Sequence, residues 1–150
     1  MSQQDPIRVY VVHLFESDAD YLRFFEYLEN RENFVYVNVS KPDEMPSGGL
    51  EAMKEALREQ IEPAEIVVVP MVTYARNEEL AKFQLDVAQA AKKPVLALQS
   101  FGGTVAMHQV IMDRADDIVE WNDRGITDAI RKLARGEETS QWEVIEFDMD

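Results

Sequence analysis

Five short apolar runs rich in β-branched residues recur along this chain, and segments with helical spacing of apolar residues separate them. The runs are IRVYVVHLF (7–15), FVYVNVS (34–40), EIVVVPM (65–71), PVLALQS (94–100) and DDIVEW (116–121). Such runs are typical of buried strands, and each connection is long enough for the helical crossover that parallel strands require. The pattern therefore predicts an α/β fold, a flavodoxin-like three-layer α/β/α sandwich whose five parallel strands have the order 2-1-3-4-5.

Local signals predict where several elements end and which faces they bury. EIVVVPM is the most apolar run, so it is predicted to lie centrally and to end at Pro70, because proline cannot donate to a central ladder. The first helix, ADYLRFFEYLEN (19–30), is predicted to be capped by Ser17 or Asp18. Its predicted core face consists of Leu22, Phe25 and Leu28 beside Tyr21 and Phe24, and that of the next helix, LEAMKEALREQI (50–61), consists of Leu50, Met53, Leu57 and Ile61.

The chain is predicted to form one domain, residues 1–136, followed by an acidic tail, residues 137–150. The last helix of the domain is predicted to be capped by Asn122 or Asp123 and to end at Gly136. The tail has acids as its only charged residues. Its segment WEVIEFD alternates well enough to add an edge strand or to dock on the domain, and a disordered tail is the alternative.

Charge and composition restrict the partners that we expect. The formal net charge of −14 repels nucleic acids and anionic membranes, so neither is expected as a partner, and the charge is interpreted as serving solubility. The chain has no cysteine, which excludes disulfides, thiol catalysis and cysteine metal sites. No apolar run is long enough for a membrane span and no secretion signal is visible, so we expect a cytoplasmic protein.

The predicted strand order locates a ligand-binding edge. The order reverses between the first and third strands, and such sheets bind ligands beyond the carboxyl ends of their strands at that reversal. The loops concerned are HLFESD (13–18) and PMVTYARNEE (70–79). His13 ends the first run at this edge, where it is either a ligand-binding residue or a hydrogen-bonded structural histidine. The other histidine, His108, has no partner at a metal-binding spacing, so no metal is expected.

Two common users of this fold do not match the residues. A response-regulator receiver has an Asp at the end of strand 3 and a Lys at the end of strand 5, where this chain has Pro70-Met71 and Trp121. A flavodoxin has a phosphate loop rich in Ser, Thr and Gly after strand 1, and HLFESD does not have that composition. Neither GxGxxG nor GxxxxGK[ST] occurs. An unrelated flavodoxin-like domain stays open, because fold does not determine function.

Three segments of the chain resemble small standalone prokaryotic TIR-like proteins of the Thoeris-related branch, where TIR denotes the Toll/interleukin-1 receptor/resistance fold. They are VYVVHLFESDADYLRFFEYLENRENFVYVNVSKPDEMP (9–46), EIVVVPMVTYARNEELAKFQLDVAQAAKKPVLAL (65–98) and ADDIVEWNDRGITDAIRKL (115–133). The resemblance covers about residues 7–135, and KKPVLAL together with ADDIVEWN is its more specific part. It implies the fold predicted above. It also implies a link to antiphage defence, in which many relatives cleave NAD or convert it into a cyclic nucleotide.

The resemblance places Gln84 where the family has its catalytic Glu, because QLDVA (84–88) aligns with the family segment EIDIA. Leu80 lies where the family has a Trp. A carboxylate at that point stabilises the oxocarbenium-like ribose that forms when the glycosidic bond breaks, whereas the amide of Gln84 has the same shape and no charge. A shift of one turn would use Glu79 or Glu78 instead, although acids in a first helical turn are also explained by the helix dipole.

Further residues acquire roles only through the resemblance. In the family, the loop after strand 1 approaches the nucleotide, and the loop after strand 2 borders the site and mediates assembly. The implied nucleotide-binding residues are His13, Phe15, Asp18, Ser40 and Tyr74, with Gln84 and Glu79 as the implied catalytic positions. NAD is implied as a substrate rather than as a resident cofactor, and a homo-oligomer formed through TIR-type contacts is implied as the assembly.

Two functional hypotheses follow. The first is a TIR-like signalling or assembly domain that keeps the fold, has lost the catalytic acid and works by self-association or by binding a nucleotide without turnover. The second is an active NAD hydrolase or cyclase with an atypical site built on Gln84 or Glu79. The amide at position 84 favours the first, and the ligand-edge loops keep the second open.

Overall fold

A computed structural model of the chain describes residues 5–136, and the predicted tail lies outside these residues. Its five strands form one sheet in the order β2-β1-β3-β4-β5. Every neighbouring pair of strands is parallel. The strands are β1 (Ile7–Val11), β2 (Tyr36–Asn38), β3 (Ile66–Pro70), β4 (Val95–Leu98) and β5 (Asp117–Val119). The predicted fold class and strand order are therefore confirmed.

Within the described part of the chain, six α-helices connect or follow these strands. They are α1 (Ala19–Glu29), α2 (Gly49–Ile61), α3 (Met71–Arg76), α4 (Glu78–Ala90), α5 (Gln109–Arg114) and α6 (Asp123–Arg135), and a 3-10 turn spans Phe101–Gly103. Helix α1 is capped by Asp18 and α6 by Asn122, and Gly136 ends α6 with a left-handed φ of 72°. These ends confirm the predicted caps. None of the helices within residues 5–136 has both the length and the apolar character needed to cross a membrane.

The sheet separates two apolar cores. On one face, side chains of β1, β3 and β4 pack with Phe24 and Leu28 of α1 and with Ile126 and Ile130 of α6. On the other face, alternate residues of the same strands pack against α2, α4 and α5. All five residues of β3 are buried, which confirms its central position. The strands thus present apolar side chains to both layers, as their near-continuous apolar runs indicate.

The predicted core faces of the first two helices are partly wrong. Leu22 is 52% exposed, whereas the buried face of α1 consists of Tyr21, Phe24 and Leu28. The three buried apolar residues follow the helical spacing i, i+3, i+7, and Leu22 lies one position out of that series. In α2, Leu57 and Ile61 are buried as predicted, but Leu50 is exposed because it lies in the first turn, beyond the packed part of the helix.

The prediction of a loop over residues 70–79 is wrong, because α3 begins directly after β3. Pro70 is the last residue of β3, where it pairs with Leu98, and it is also the N-cap of α3. Its φ of −72° suits a helix start, where its missing N–H costs no hydrogen bond. Met71 and Tyr74 are both buried at helical spacing. The backbone at this edge is therefore ordered helix, and only Asn77 separates α3 from α4.

Candidate functional site

The strand order reverses between β1 and β3, and the carboxyl ends of these strands are adjacent because Val11 pairs with Val68. Residues 12–18 follow β1 and α3 follows β3 at this edge. Helix α4 lies on one side of the sheet with its buried Gln84 directed toward β1. This edge is where parallel α/β sheets bind ligands, so it is the candidate site.

Gln84 is completely buried, and its carboxamide is fully hydrogen-bonded within the chain. Its Oε1 accepts a hydrogen bond from the Tyr10 hydroxyl at 2.6 Å and one from the His13 backbone N–H at 3.3 Å. Its Nε2 donates to the His13 carbonyl at 2.8 Å and to the Leu80 carbonyl at 3.3 Å. The amide thus ties α4 to the end of β1, and none of its hydrogen-bonding capacity is left for a ligand.

This hydrogen-bond pattern requires a group that both accepts and donates. An ionised Glu at position 84 could accept from Tyr10 and His13, but its second oxygen would face two backbone carbonyls, to which Nε2 of the amide now donates. Burial raises the pKa of the Tyr10 phenol well above its usual value, so Tyr10 stays a neutral donor. The surroundings therefore suit an amide and disfavour a carboxylate.

His13 is buried and neutral, with a defined tautomer. The backbone N–H of Phe15 donates to Nδ1 at 3.0 Å, so the ring proton lies on Nε2, which is 2.9 Å from Oε1 of Gln60 and donates to it. Burial lowers the pKa of the imidazole below its usual value, against a smaller opposite effect of the Gln60 hydrogen bond. Gln60 also holds the backbone of Lys41 through two hydrogen bonds of 2.8 and 3.2 Å. The imidazole therefore connects β1 with α2 and with the loop after β2.

Phe15 adopts a backbone conformation that is unfavourable for its side chain. Its φ is 61°, in the left-handed region, where a residue with a bulky side chain is uncommon and strained. Its ring meets the His13 imidazole edge-to-face, with centroids 5.1 Å apart. Its N–H donates to that same imidazole, so the side chain and the backbone of Phe15 both depend on His13. Strain of this kind is found most often at sites of function.

Polar contacts bridge the loop after β1 and the helix after β3. Asp18 caps α1 through the N–H of Tyr21, and its second oxygen accepts from the Thr73 hydroxyl at 3.2 Å. The guanidinium of Arg76 pairs with Glu16 at 2.8 Å and with Asp18 at 3.5 Å. Two carboxylates thus surround one guanidinium at the reversal of strand order. An anionic ligand would compete with both carboxylates for Arg76.

Ser40 lies at the carboxyl end of β2 and is buried with two polar partners. Its hydroxyl is 2.9 Å from the Tyr21 hydroxyl and is also bonded to the side-chain oxygen of Asn38. The amide nitrogen of Asn38 donates to Tyr21 at 3.0 Å, which closes the group. These contacts attach the end of β2 to α1. The structure thus brings Ser40 to the same edge of the sheet as His13 and Asp18, with its hydroxyl already bonded within the chain.

Tyr74 and Glu79 lie outside the Gln84 network. Tyr74 of α3 is buried, its ring packs against His108 with centroids 5.0 Å apart, and burial raises the pKa of its phenol. Glu79 is exposed in the first turn of α4, while Gln84 faces the core from the same helix. Its neighbour Glu78 lies 3.4 Å from His108. The structure therefore does not bring Glu79 together with Gln84.

Three residues of this edge were not identified from the sequence: Tyr10, Gln60 and Thr73. Tyr10 lies inside an apolar run, where a tyrosine is typical of core packing. Nothing in the local sequence predicts that its hydroxyl bonds to Gln84, 74 positions away. Gln60 precedes the buried Ile61 and belongs to no recognised sequence motif. A sequence signal did exist for Thr73, since it lies within the loop predicted to form the ligand edge.

A cavity of about 410 Å³ lies beside Gln60, between the edge strand β2 and helix α2. Val37 and Val39 line it from β2, Ala56 and Gln60 line it from α2, and Lys41 contributes from the connecting loop. The cavity therefore adjoins the same glutamine that bonds to His13. The cavity also adjoins this edge through Asn38, which lines it and bonds to Ser40.

Comparison with known proteins adds no assignment. A scan of the chain against models of protein families finds no match, and a search of curated proteins also finds none.

Proposed function

We propose that this chain is a TIR-like signalling and assembly domain that does not cleave NAD. The carboxamide of Gln84 is the observation that supports this most strongly, because it occupies the position that the resemblance assigns to the catalytic acid. All four of its hydrogen bonds go to the chain's own atoms. A group used in this way is a structural tie, and it has no negative charge with which to stabilise an oxocarbenium-like transition state.

Glu79 gives little support for an atypical active site. It is exposed, and it lies on the first turn of α4, where acids are favoured by the positive end of the helix dipole. A carboxylate in water is screened, so its effect on a developing positive charge is small compared with that of a buried group. The enzymatic hypothesis therefore depends on a residue whose surroundings do not activate it.

Assembly is supported by the apolar side chains around the edge strand β2. Within residues 5–136, seven large apolar side chains are exposed, and four of them fall between positions 35 and 50. These four, Val35, Val37, Met45 and Leu50, are here named the β2–α2 surface. Among the described strands, β2 has a partner on one side only. Exposed apolar side chains beside an outermost strand are typical of sites of association.

The catalytic part of the proposal is tested with purified protein and NAD. We expect no nicotinamide release from the wild-type chain, and none from Gln84→Glu, because the new carboxylate would face two carbonyls. A rise in melting temperature with NAD, without turnover, would support nucleotide binding as the role of this edge. Turnover by the wild type that disappears in Glu79→Ala would contradict the proposal and support the enzyme.

The assembly part is tested by sedimentation velocity over a series of concentrations. We expect the wild-type chain to self-associate and Val37→Lys to weaken that association at least tenfold, because the change places a charge in the β2–α2 surface and costs about 1.4 kcal/mol or more. Leu22→Lys is the matched control, since Leu22 is equally apolar and 52% exposed on α1. Equal weakening by both variants, or a monomer at all concentrations, would contradict the role of this surface.

A further inference from the structure

A second cavity, of about 470 Å³, lies at the opposite edge of the sheet, by the amino ends of β4 and β5. Three cations and one carboxylate line it: Lys92, Lys93, Arg114 and Asp116. Pro94 and Leu133 add apolar surface. It is here named the basic cavity. The whole chain has a net charge of −14, so the lining of this cavity has the opposite sign of charge to the chain as a whole.

The two lysines of the basic cavity have no carboxylate partner within residues 5–136. Lys92 is exposed and is held in the left-handed region with a φ of 60°. The ammonium group of Lys93 donates to the backbone carbonyl of Glu62 at 2.8 Å. The carboxylate of Asp116 accepts from the backbone N–H of Val95 and is thereby oriented toward β4. The cavity therefore offers two ammonium groups that have no ion-pair partner among the described residues, beside one guanidinium that is already paired with a carboxylate outside the cavity.

The described part of the chain ends beside this cavity. Leu133 lines the cavity from α6, and the helix ends two residues later at Arg135, with Gly136 as its cap. Residues 137–150 follow, and they contain no Lys or Arg. They contain the acids Glu137, Glu138, Glu143, Glu146, Asp148 and Asp150, and the apolar residues Trp142, Val144, Ile145, Phe147 and Met149. This segment therefore combines the opposite charge with apolar side chains.

We propose that residues 137–150 bind back to their own domain at the basic cavity, with carboxylates against Lys92 and Lys93 and an apolar side chain against Pro94 and Leu133. The segment is long enough, because an extended residue spans about 3.4 Å and the cavity begins within one helical turn of Gly136. A short tether gives an effective concentration in the millimolar range, so a weak intrinsic affinity suffices for occupancy.

The proposal is tested with a spin label on the full chain. Ser140→Cys introduces the only thiol in a chain without cysteine, so a nitroxide can be attached at that point alone. We expect the amide signals of Lys92, Lys93 and Val95 to lose most of their intensity through paramagnetic broadening. The loss should be reversed in about 1 M salt, where the Debye length falls to about 3 Å.

Charge reversal supplies the matched comparison. Lys92→Glu/Lys93→Glu should abolish the broadening, whereas Lys54→Glu/Lys82→Glu, which makes the same change in net charge on α2 and α4, should retain it. Folding of each variant is checked by the dispersion of its amide spectrum. Broadening concentrated on β2, broadening that survives reversal at Lys92 and Lys93, or none at all overturns the proposal. A mixing experiment tests for binding between copies: the amide signals are observed on a chain that carries no nitroxide, in the presence of the spin-labelled chain. Broadening in that mixture also overturns the proposal.

Discussion

The side chain of Gln84 joins three parts of the molecule through one amide. It reaches β1 at the Tyr10 hydroxyl, the following loop at both backbone groups of His13, and its own helix at the Leu80 carbonyl. Hydrogen bonds of this kind matter mainly through the cost of leaving a buried group unsatisfied. A substitution at this position therefore disturbs the loop after β1 as well as α4.

Gln84→Glu should destabilise the protein strongly at neutral pH and less in acid. The buried carboxylate would have no partner on the side of the two carbonyls, which costs about 3–5 kcal/mol. Burial would raise its folded-state pKa above the unfolded value, so the folded state binds more protons and stability falls as pH rises through that pKa. Urea unfolding at pH 5 and pH 8 should show the larger loss at pH 8.

Gln89→Glu is the control for that measurement. It makes the same chemical change on α4, but Gln89 is exposed, so the carboxylate stays in water and the cost should be a few tenths of a kcal/mol. Equal destabilisation by both variants, or a loss at Gln84 that does not depend on pH, would contradict the hydrogen-bond account of position 84.

His13 should make the wild-type protein less stable as the pH falls from 7 toward 5. Its folded-state pKa is lowered by burial, while the unfolded value is about 6.5. Between those values the unfolded state binds more protons, so stability rises with pH by at most about 1.4 kcal/mol per unit. His13→Gln removes this slope, which urea unfolding at half-unit pH intervals would measure.

His108→Gln provides the comparison for the pH slope. It removes the other histidine of the chain and leaves the buried His13 with its bonds to Gln60 and Phe15. The part of the slope that belongs to His13 should therefore persist in this variant. A slope that disappears with His108 and survives without His13 would show that the wrong imidazole had been identified.

At the scale of elements, Asp18 should contribute more than an ordinary helix cap. Asn122 caps α6 with one hydrogen bond to Gly125, so Asn122→Ala should cost about 1 kcal/mol. Asp18 caps α1 and also accepts from Thr73 and pairs with Arg76, so Asp18→Ala should cost about 2 kcal/mol. Thermal unfolding of the two variants measures the difference, and equal costs would mean that the bridge to α3 adds no stability.

The elements show which features a sequence determines locally. Asp18, Asn122 and Gly136 act as predicted, because caps depend on the residue and its immediate neighbours. The strands end earlier than the apolar runs that predict them, because residues beyond the end of a strand can also be buried and are then apolar as well. At His13 the backbone leaves the sheet to bond with Gln84, 71 positions away. Helix α3 is not predicted because its six residues make fewer than two turns, too few to show helical periodicity.

At the scale of the whole molecule, the two cores should unfold together, because β1, β3 and β4 contribute side chains to both. Leu85→Ala removes a buried side chain from the α4 face and should cost about 2–5 kcal/mol. Trp121 packs against the opposite core. In a Trp142→Phe background, Trp121 is the only tryptophan and its fluorescence reports the unfolding of that core. Leu85→Ala should shift the unfolding midpoint seen by this fluorescence by the same amount as the midpoint seen by far-ultraviolet circular dichroism, as expected for two-state unfolding. An unshifted Trp121 transition would mean that the faces unfold independently.

The candidate site could be located from the sequence more readily than it could be understood. Strand order alone identified the edge between β1 and β3, and the resemblance identified Gln84, which proves to be directed inward at that edge. The partners of Gln84 and His13 could not be derived, because they depend on which atoms of distant segments meet. Tyr10 and Gln60 are 74 and 47 positions from the residues they contact.

The two outer strands of the sheet differ in a way that affects how copies of the chain could join edge to edge. Strands β2 and β5 each provide three ladder residues and are the two outermost strands of the sheet formed by residues 5–136. Joining β2 to β2 of a second copy creates a twofold axis and stops at two chains, whereas joining β2 to β5 of the next copy gives a ring or an open filament. Valines flank and occupy β2, but an exposed Asp117 begins β5. A charged side chain disfavours edge-to-edge pairing at β5, so the assembly proposed above should form through β2 of both copies as a closed pair.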